Sequence, residues 1–367
     1  MSRVSGRFRS MSDFKPGLEG VVAFETQIAE PDKEGGALRY RGVDIEELVG
    51  AKAYEQVWGL LVDDSFLPGM PHAEPFQLER PTSRAMSDLQ GATARLSAEW
   101  RLGQLIDVDD DRARDDLGRL SATMISIVAQ SARGMQAPVP ETTVEEGDVA
   151  AEQFLLRWRG EADPRHVKAI DCYWVSAAEH GMNASTFTAR TVASTGADCG
   201  AAMSAAVGAL SGPLHGGAPT RVLRMLDDLA ASGDAEAYVK GLLDRGERLM
   251  GFGHRVYRAE DPRARVLRRT AKELGSPRFE VAEDLERAAL EELHARHPER
   301  VLATNVEFWS AVVLDIADIP GELLPAMFAC ARVAGWSAHV LEEKRTGRLI
   351  RPSAVYVGPA SRSLASS

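Results

Sequence analysis

The chain has 367 residues, enough for one large core or two moderate domains, and at 44% hydrophobic and 26% charged it has a globular composition. The net charge of −11 argues against nucleic acid as the main partner, although local arginine clusters can still hold anions. No apolar run approaches the roughly 20 residues of a membrane span, and Cys172, Cys199 and Cys330 are far apart, form no CxxC pair and read as reduced, buried thiols of a cytoplasmic protein.

Met1 to Ser10 carry Arg3, Arg7 and Arg9 and no acid. The stretch is too short for a transit peptide, so a disordered tail over residues 1–16 is expected, with Met11 as an alternative start. Val21 to Ile28 is β-branched and partly alternating, Pro31 to Gly36 is a turn cluster, and Leu38 to Arg41 can pair back. This predicts a small N-terminal β-hairpin. Almost everything after it reads as helix. Asp44 with Glu47 forms a capping box for a short helix that Gly50 stops, and Tyr54 to Val62 continues the pattern. Leu67 to Pro81, with four prolines, and the Pro- and acid-rich Gln136 to Gly147 read as surface loops. The acidic run Asp107 to Asp111 reads as a solvated helix start rather than a metal site, since it lacks EF-hand spacing and a nearby histidine.

Asp163-Pro164 opens a helix through Ala178 with Ile170, Tyr173, Trp174 and Ala177 on one face. Ala197 to Leu210 is nearly all small residues, which fits a close helix–helix contact, with a subunit contact as one possibility. Further helices are predicted at 218–230, 235–250, 262–274, 281–296, 305–318, 321–333 and 336–346. There is no βαβ alternation and no internal repeat, so the expected class is all-α.

GxSxG, HExxH, Walker A and a complete GxGxxG are all absent. What remains is histidine, arginine and one acid in short breaks. His215 lies in Gly212–Pro219 and His254 in Gly251–Arg258, both glycine-rich, and Glu307 opens the apolar run Asn305–Trp309. Two histidines and a glutamate make an acid–base set that works near neutral pH. Each has a bland alternative: His215 as loop filler, His254 bonded to a carbonyl, Glu307 as the last member of a capping box begun by Thr304. Arg258, Arg263 and Arg265 follow His254, Arg332 lies on an apolar helix, and Arg351 precedes Pro352. Arginine forks bind carboxylates in a bidentate way. Pairing with surface acids suits Arg265; it suits Arg332 less, because Ala329, Val333 and Trp336 beside it look buried.

Four segments carry a more specific pattern: Glu179–Thr186, Pro213–Pro219, Gly251–Tyr257 with Asp261-Pro262-Arg263, and Arg332–His339. With them in this order, the chain from about Gly17 to Gly358 resembles the citrate synthases, and most of all the short second citrate synthase of mycobacteria and related actinobacteria.

The resemblance implies an all-α, two-domain helical fold. The large, dimer-forming domain would span 17–216 and 321–367, and the small domain 217–320. A homodimer would share its active sites. Oxaloacetate would be held by His180, Arg263 and Arg332, with Arg351 reaching in from the partner. His254 would polarise its carbonyl, His215 would stabilise the enol of acetyl-CoA, and Glu307 stands where the family's base is normally aspartate. Leu249, Met250, Gly251, Phe252 and Gly253 would contact the CoA adenine through their backbone, and Arg258 its phosphates. Acetyl-CoA would be a co-substrate, with no tightly bound cofactor, no metal, no nucleic acid and no membrane among the partners.

The chemistry demands such a set. A thioester α-hydrogen is a very weak acid, so its removal needs a placed carboxylate, a donor at the developing enolate oxygen and exclusion of water. Glu307 adds a methylene to the expected aspartate, displacing the carboxylate by about 1.5 Å on an unchanged backbone. Alternatives are a 2-methylcitrate synthase using propionyl-CoA, which differs by one methylene, and a weakly catalytic ligand-sensing paralogue.

Overall fold

The computed structural model describes residues 14–32, 36–215, 219–253, 260–300 and 302–361, without the side chains of 219 and 220. Met1–Asp13 of the tail expected over 1–16, together with His254 and Arg258, lie outside the described residues, and Pro16 already belongs to a 3₁₀ turn.

A 3₁₀ turn at Pro16–Leu18 leads to a three-stranded antiparallel sheet: β1 (Ala29–Asp32), β2 (Ala37–Tyr40) and β3 (Val43–Asp44), in that order. Fifteen helices follow: α1 (Ile45–Leu48), α2 (Tyr54–Asp63), α3 (Ala85–Glu99), α4 (Asp110–Arg133), α5 (Glu141–Val144), α6 (Ala150–Arg159), α7 (Pro164–Ala177), α8 (Ala184–Ala193), α9 (Cys199–Leu210), α10 (Pro219–Ser232), α11 (Ala235–Asp244), α12 (Pro262–Glu273), α13 (Phe279–Arg296), α14 (Val306–Ile316) and α15 (Leu324–Thr346). The all-α class is confirmed, with one small sheet and two isolated β-bridges among the described residues. No helix there is long and apolar enough to cross a membrane.

The hairpin exists, but its first strand starts later than its β-branched residues suggest. Val21 and Val22 are exposed, and the paired residue opposite Tyr40 is Ala29. Burial sets this register. Ile28, Leu38 and Tyr40 are fully buried, and the Tyr40 hydroxyl lies 3.0–3.2 Å from the carbonyl oxygens of Val175, Ser176 and Glu179. The third strand follows a two-residue turn in which Arg41 and Gly42 both adopt positive φ, at 48° and 83°.

Helix starts follow their caps. Asp109, Asp163, Asn183, Asp198, Asp234 and Asp261 each accept a backbone N–H of the first turn. Asp44 also caps, but it accepts from Glu46 N at 3.0 Å rather than forming a box with Glu47. Three expected boundaries move. The helix predicted at 235–250 stops at Asp244, just before Gly246 at φ 72°. A short helix, α5, interrupts the Gln136–Gly147 loop. The helices predicted at 321–333 and 336–346 are one continuous helix, α15, preceded by a 3₁₀ turn at Gly321–Leu323.

That long helix organises the molecule. It packs against α2, α3, α4, α7, α8 and α9, and Trp336 is fully buried on it. The small-residue helix α9 lies against α3 and α8; Gly200 makes room for Ser97 Oγ of α3, and Gly208 for Gln90. Its small side chains therefore serve packing within the chain. The three cysteines are free and buried, as their spacing suggested. A second group, α10, α11, α13 and α14, packs together, while α12 and α14 both touch α7.

Candidate active site

Arg263, at the N-terminus of α12, and Arg332, midway along α15, are only 2% and 4% exposed. Burying two cations is costly unless each has a counter-charge. Arg263 has one next to it in sequence. Asp261, itself 1% exposed, accepts from Arg263 Nε at 3.0 Å and Nη2 at 2.8 Å. Arg332 has a looser arrangement. Its Nε and Nη1 find no hydrogen-bond partner among the described residues. Its guanidinium carbon stands 4.9 Å over the Phe328 ring, and the nearby Glu179 supplies the opposing charge. Burial pulls the Arg332 pKa down and Glu179 resists.

Glu179 and His180 follow α7, and both are buried. Burial alone would raise the Glu179 pKa, but His339 and Arg332 outweigh it, and the net shift is downward. His339 Nε2 lies 3.4 Å from Glu179 Oε1, while its Nδ1 receives Arg190 Nη1 at 2.9 Å. Arg190 is held in turn by Glu342 at 2.6 Å and Glu343 at 2.8 Å. A buried polar chain thus runs from Arg190 through His339 to Glu179. Room for it comes from Gly335, where a Cβ would collide with Glu179 Oε2 and lie 2.6 Å from Ala178 O.

His215 stands where the chain leaves α9. Its ring faces Phe328 edge-on with centroids 6.4 Å apart, on the same aromatic ring that Arg332 covers. Burial, and then the charge of Arg332, push its pKa down to about 4, so the imidazole is neutral at neutral pH. Ser185 Oγ is 2.9 Å from Nε2, and the Ser185 amide points at the same nitrogen from 3.4 Å. Asn183 Oδ1 accepts two amides, from Ser185 and Thr186, and Trp336 Nε1 donates to Ser185 Oγ at 3.2 Å. Ser185 Oγ also donates to Asn183 Oδ1 at 2.8 Å, so this serine and its amide hold the Nε2 edge of the neutral ring.

Glu307 opens α14. The bland reading of this residue fails in detail: the cap is Asn305, whose Oδ1 accepts Glu307 N at 3.0 Å, while Thr304 Oγ1 is buried with no partner among the described residues. The Glu307 side chain therefore closes no capping box, and its carboxylate takes no hydrogen bond among the described residues. Burial raises its pKa to about 6; Arg263 pulls it down and Asp261 pushes it up. Tyr173 of α7 senses Arg332, Arg263 and Glu307 together, which marks where these elements meet.

The segment 249–253 pairs with the approach to α14. Gly253 N donates to Ala303 O at 2.7 Å, Asn305 N to Gly251 O at 2.9 Å, and Asn305 Nδ2 to Gly253 O at 2.9 Å. Gly251 has φ 89°, and a Cβ there would meet Phe308 Cβ at 2.7 Å, so only glycine fits. Several backbone groups expected to face a nucleotide are thus turned inward. Arg351 stands apart: it is exposed beyond α15, with no hydrogen bond or ion pair among the described residues. No group of His, Cys, Asp or Glu among the described residues could hold a metal ion. Sequence reasoning gave no role to Ser185, Asn305 and Asp261, although Ser185 and Asp261 lie in the segments that carry the family resemblance and Asn305 heads the apolar run before Glu307.

The charge of Arg332 reaches His215, that of Arg263 reaches Glu307, and Tyr173 senses both arginines, so two buried cations lie within electrostatic reach of a neutral imidazole and a carboxylate of raised pKa. Residues 17–353 match the family model described as citrate synthase, C-terminal domain. The chain is 61% identical to the "Putative citrate synthase 2" of Mycobacterium tuberculosis over 353 residues, covering 96% of this chain and 95% of that protein. It is 32% identical to the 2-methylcitrate synthase of Shewanella oneidensis, covering 96% and 98%. The solved ternary complex of citrate synthase from Thermoplasma acidophilum with carboxymethyl coenzyme A and oxaloacetate superposes with a TM-score of 0.80 at 27% identity, covering 97% of this chain and all of that one. Fold, site chemistry and sequence agree: the chain belongs to the citrate synthase family and is an acyl-transferring enzyme of that type.

Proposed function

We propose that this enzyme condenses oxaloacetate with acetyl-CoA to give citrate and CoA, with Glu307 as the base. The observation that carries the reading is the Glu307 carboxylate, free of hydrogen bonds among the described residues, raised to about 6 and beside Arg263. A base poised just below neutral pH is ionised at pH 7 yet still basic enough to accept a carbon-bound proton.

In this scheme Arg263, Arg332 and His180 hold the two carboxylates of oxaloacetate. Glu307 removes a methyl proton from the thioester, and the neutral His215 ring donates an N–H to the developing enol oxygen. His254 polarises the ketone of oxaloacetate. The enol carbon attacks that ketone carbon, the ketone oxygen takes a proton, and water then cleaves the thioester to release citrate and CoA. Neutral His215 suits this role, because a weak donor stabilises an enol without first protonating the thioester. With α14 capped by Asn305, the Glu307 carboxylate is left uncapped. Residues 17–216 with 321–367 would form the dimerising domain and 217–320 the small one, with Arg351 completing the partner's site. Acetyl-CoA is a co-substrate in a cytoplasmic enzyme that needs no tightly bound cofactor.

The test is thiol release by purified protein given oxaloacetate and acetyl-CoA. Turnover dependent on both supports the reading; none would overturn it. The similarity to a 2-methylcitrate synthase keeps propionyl-CoA as the second reading. One methylene is worth about 1–3 kcal/mol in a pocket, so kcat/KM for the two thioesters decides between them.

A further inference from the structure

Asp261 makes more hydrogen bonds than a helix cap requires. Its Oδ1 accepts Arg263 N at 3.0 Å and Arg263 Nε at 3.0 Å. Its Oδ2 accepts Arg263 Nη2 at 2.8 Å and, from a different helix, Val306 N at 3.1 Å. The first of these caps α12. The next two grip one edge of the guanidinium. The last reaches 45 residues along the chain to the first amide of α14, next to Glu307. An ordinary N-cap serves its own helix; this carboxylate serves two, and it is 1% exposed.

We propose that Asp261 is a positioning residue that ties the oxaloacetate-binding arginine to the helix carrying the base, so that substrate seated on Arg263 is held in register with Glu307. The proposal rests on the roles given above to Arg263 and Glu307. Its physical basis is the sensitivity of proton abstraction to placement: a misalignment of about 1 Å costs on the order of 100-fold in rate. Besides this bridge, α12 and α14 meet through side-chain packing, and both touch the neighbouring α7. Asp261 also acts through charge. Among the described residues the charged groups whose fields reach Glu307 are Arg263 and Asp261, both on or capping α12, and Tyr173 of α7 feels Glu307 in turn. Asp261 raises the Glu307 pKa directly, and by pairing with Arg263 it also weakens the cation that lowers it.

Asp261→Ser separates the two roles. A serine can still cap α12, but its hydroxyl is too short to reach both the Arg263 guanidinium and Val306 N. We expect kcat to fall on the order of 10- to 100-fold in a folded protein, and the acid limb of the kcat profile to move to lower pH. A residue acting only as a cap would change thermal stability and leave that limb in place. Asp261→Asn, nearly isosteric, is the second variant. Its amide sets a donor against Arg263 Nη2 or Val306 N, and the same downward movement of the limb is expected. Wild-type kcat and an unmoved limb in a folded Ser or Asn variant would overturn the proposal. So would failure of both variants to fold, which would make Asp261 a structural residue. No turnover in the unaltered protein would remove the functional reading and this proposal together; normal turnover with insensitive variants removes the proposal alone.

Discussion

Replacing Glu307 by glutamine should make the protein more stable and catalytically dead, and the two effects should have different pH dependences. Burial raises the Glu307 carboxyl from 4.5 to about 6 in the folded state. A group raised on folding favours the fold while protonated. Its contribution is fully present below pH 4.5 and is lost as pH rises through 6. Above that, the ionised carboxylate costs roughly 2 kcal/mol relative to its neutral form. Glutamine keeps the neutral shape at every pH. For a chain of this length the gain corresponds to roughly 2–3 °C in Tm. Calorimetric melts at pH 4.5 and pH 8 should show no difference at the first and the full gain at the second. Thiol release should fall by at least about 100-fold, the usual contribution of a general base, while oxaloacetate still binds in titration calorimetry. A Gln variant with full turnover would refute the catalytic role. A Tm difference that is the same at both pH values would refute the desolvated carboxylate from which the magnitude is worked.

Other outcomes follow from the same geometry. His215→Ala should lower kcat on the order of 100-fold or more with the fold intact by circular dichroism, because the ring's partner, Ser185, is also held by Asn183. Gly335→Ala should destabilise the protein in thermal melts, although alanine normally favours a helix interior by about 1 kcal/mol, since its Cβ would displace the buried Glu179 carboxylate; oxaloacetate affinity should weaken with it. Arg351→Ala and His215→Ala proteins, each impaired alone, should regain activity when mixed under conditions of subunit exchange, and no recovery despite confirmed heterodimers would count against a shared site.

Much of this was legible in the sequence, and the failures have identifiable physics. Periodicity and caps located the helices, and the burial of Arg332 could be read from Ala329, Val333 and Trp336. Gly335 misled, because a glycine mid-pattern reads as a helix break; here it makes room for a carboxylate from another segment. Thr304 misled similarly: the capping-box pattern was present, but pairing between Gly251–Gly253 and Ala303–Asn305 moved the cap to Asn305. Val21 and Val22 have strand propensity but no buried face to occupy, so the strand begins at Ala29. Asp261 was visible as part of a family-like segment but without a role, because its second partner, Val306 N, is defined by tertiary structure alone. The inward-turned backbone of 249–253 was likewise beyond any local pattern.

Arg332 has a consequence for the life of the protein rather than its chemistry. Two of its buried nitrogens, Nε and Nη1, find no acceptor among the described residues, and an unmet buried donor costs about 1–3 kcal/mol. On the proposed reading, the missing acceptors are the substrate's own carboxylates, so oxaloacetate completes the interior as well as reacting in it. A ligand that binds only the folded chain raises the folded population in proportion to its concentration. The enzyme's resistance to proteolysis should therefore rise and fall with the supply of its substrate, so that the amount of enzyme present would follow the demand for it without any dedicated regulator.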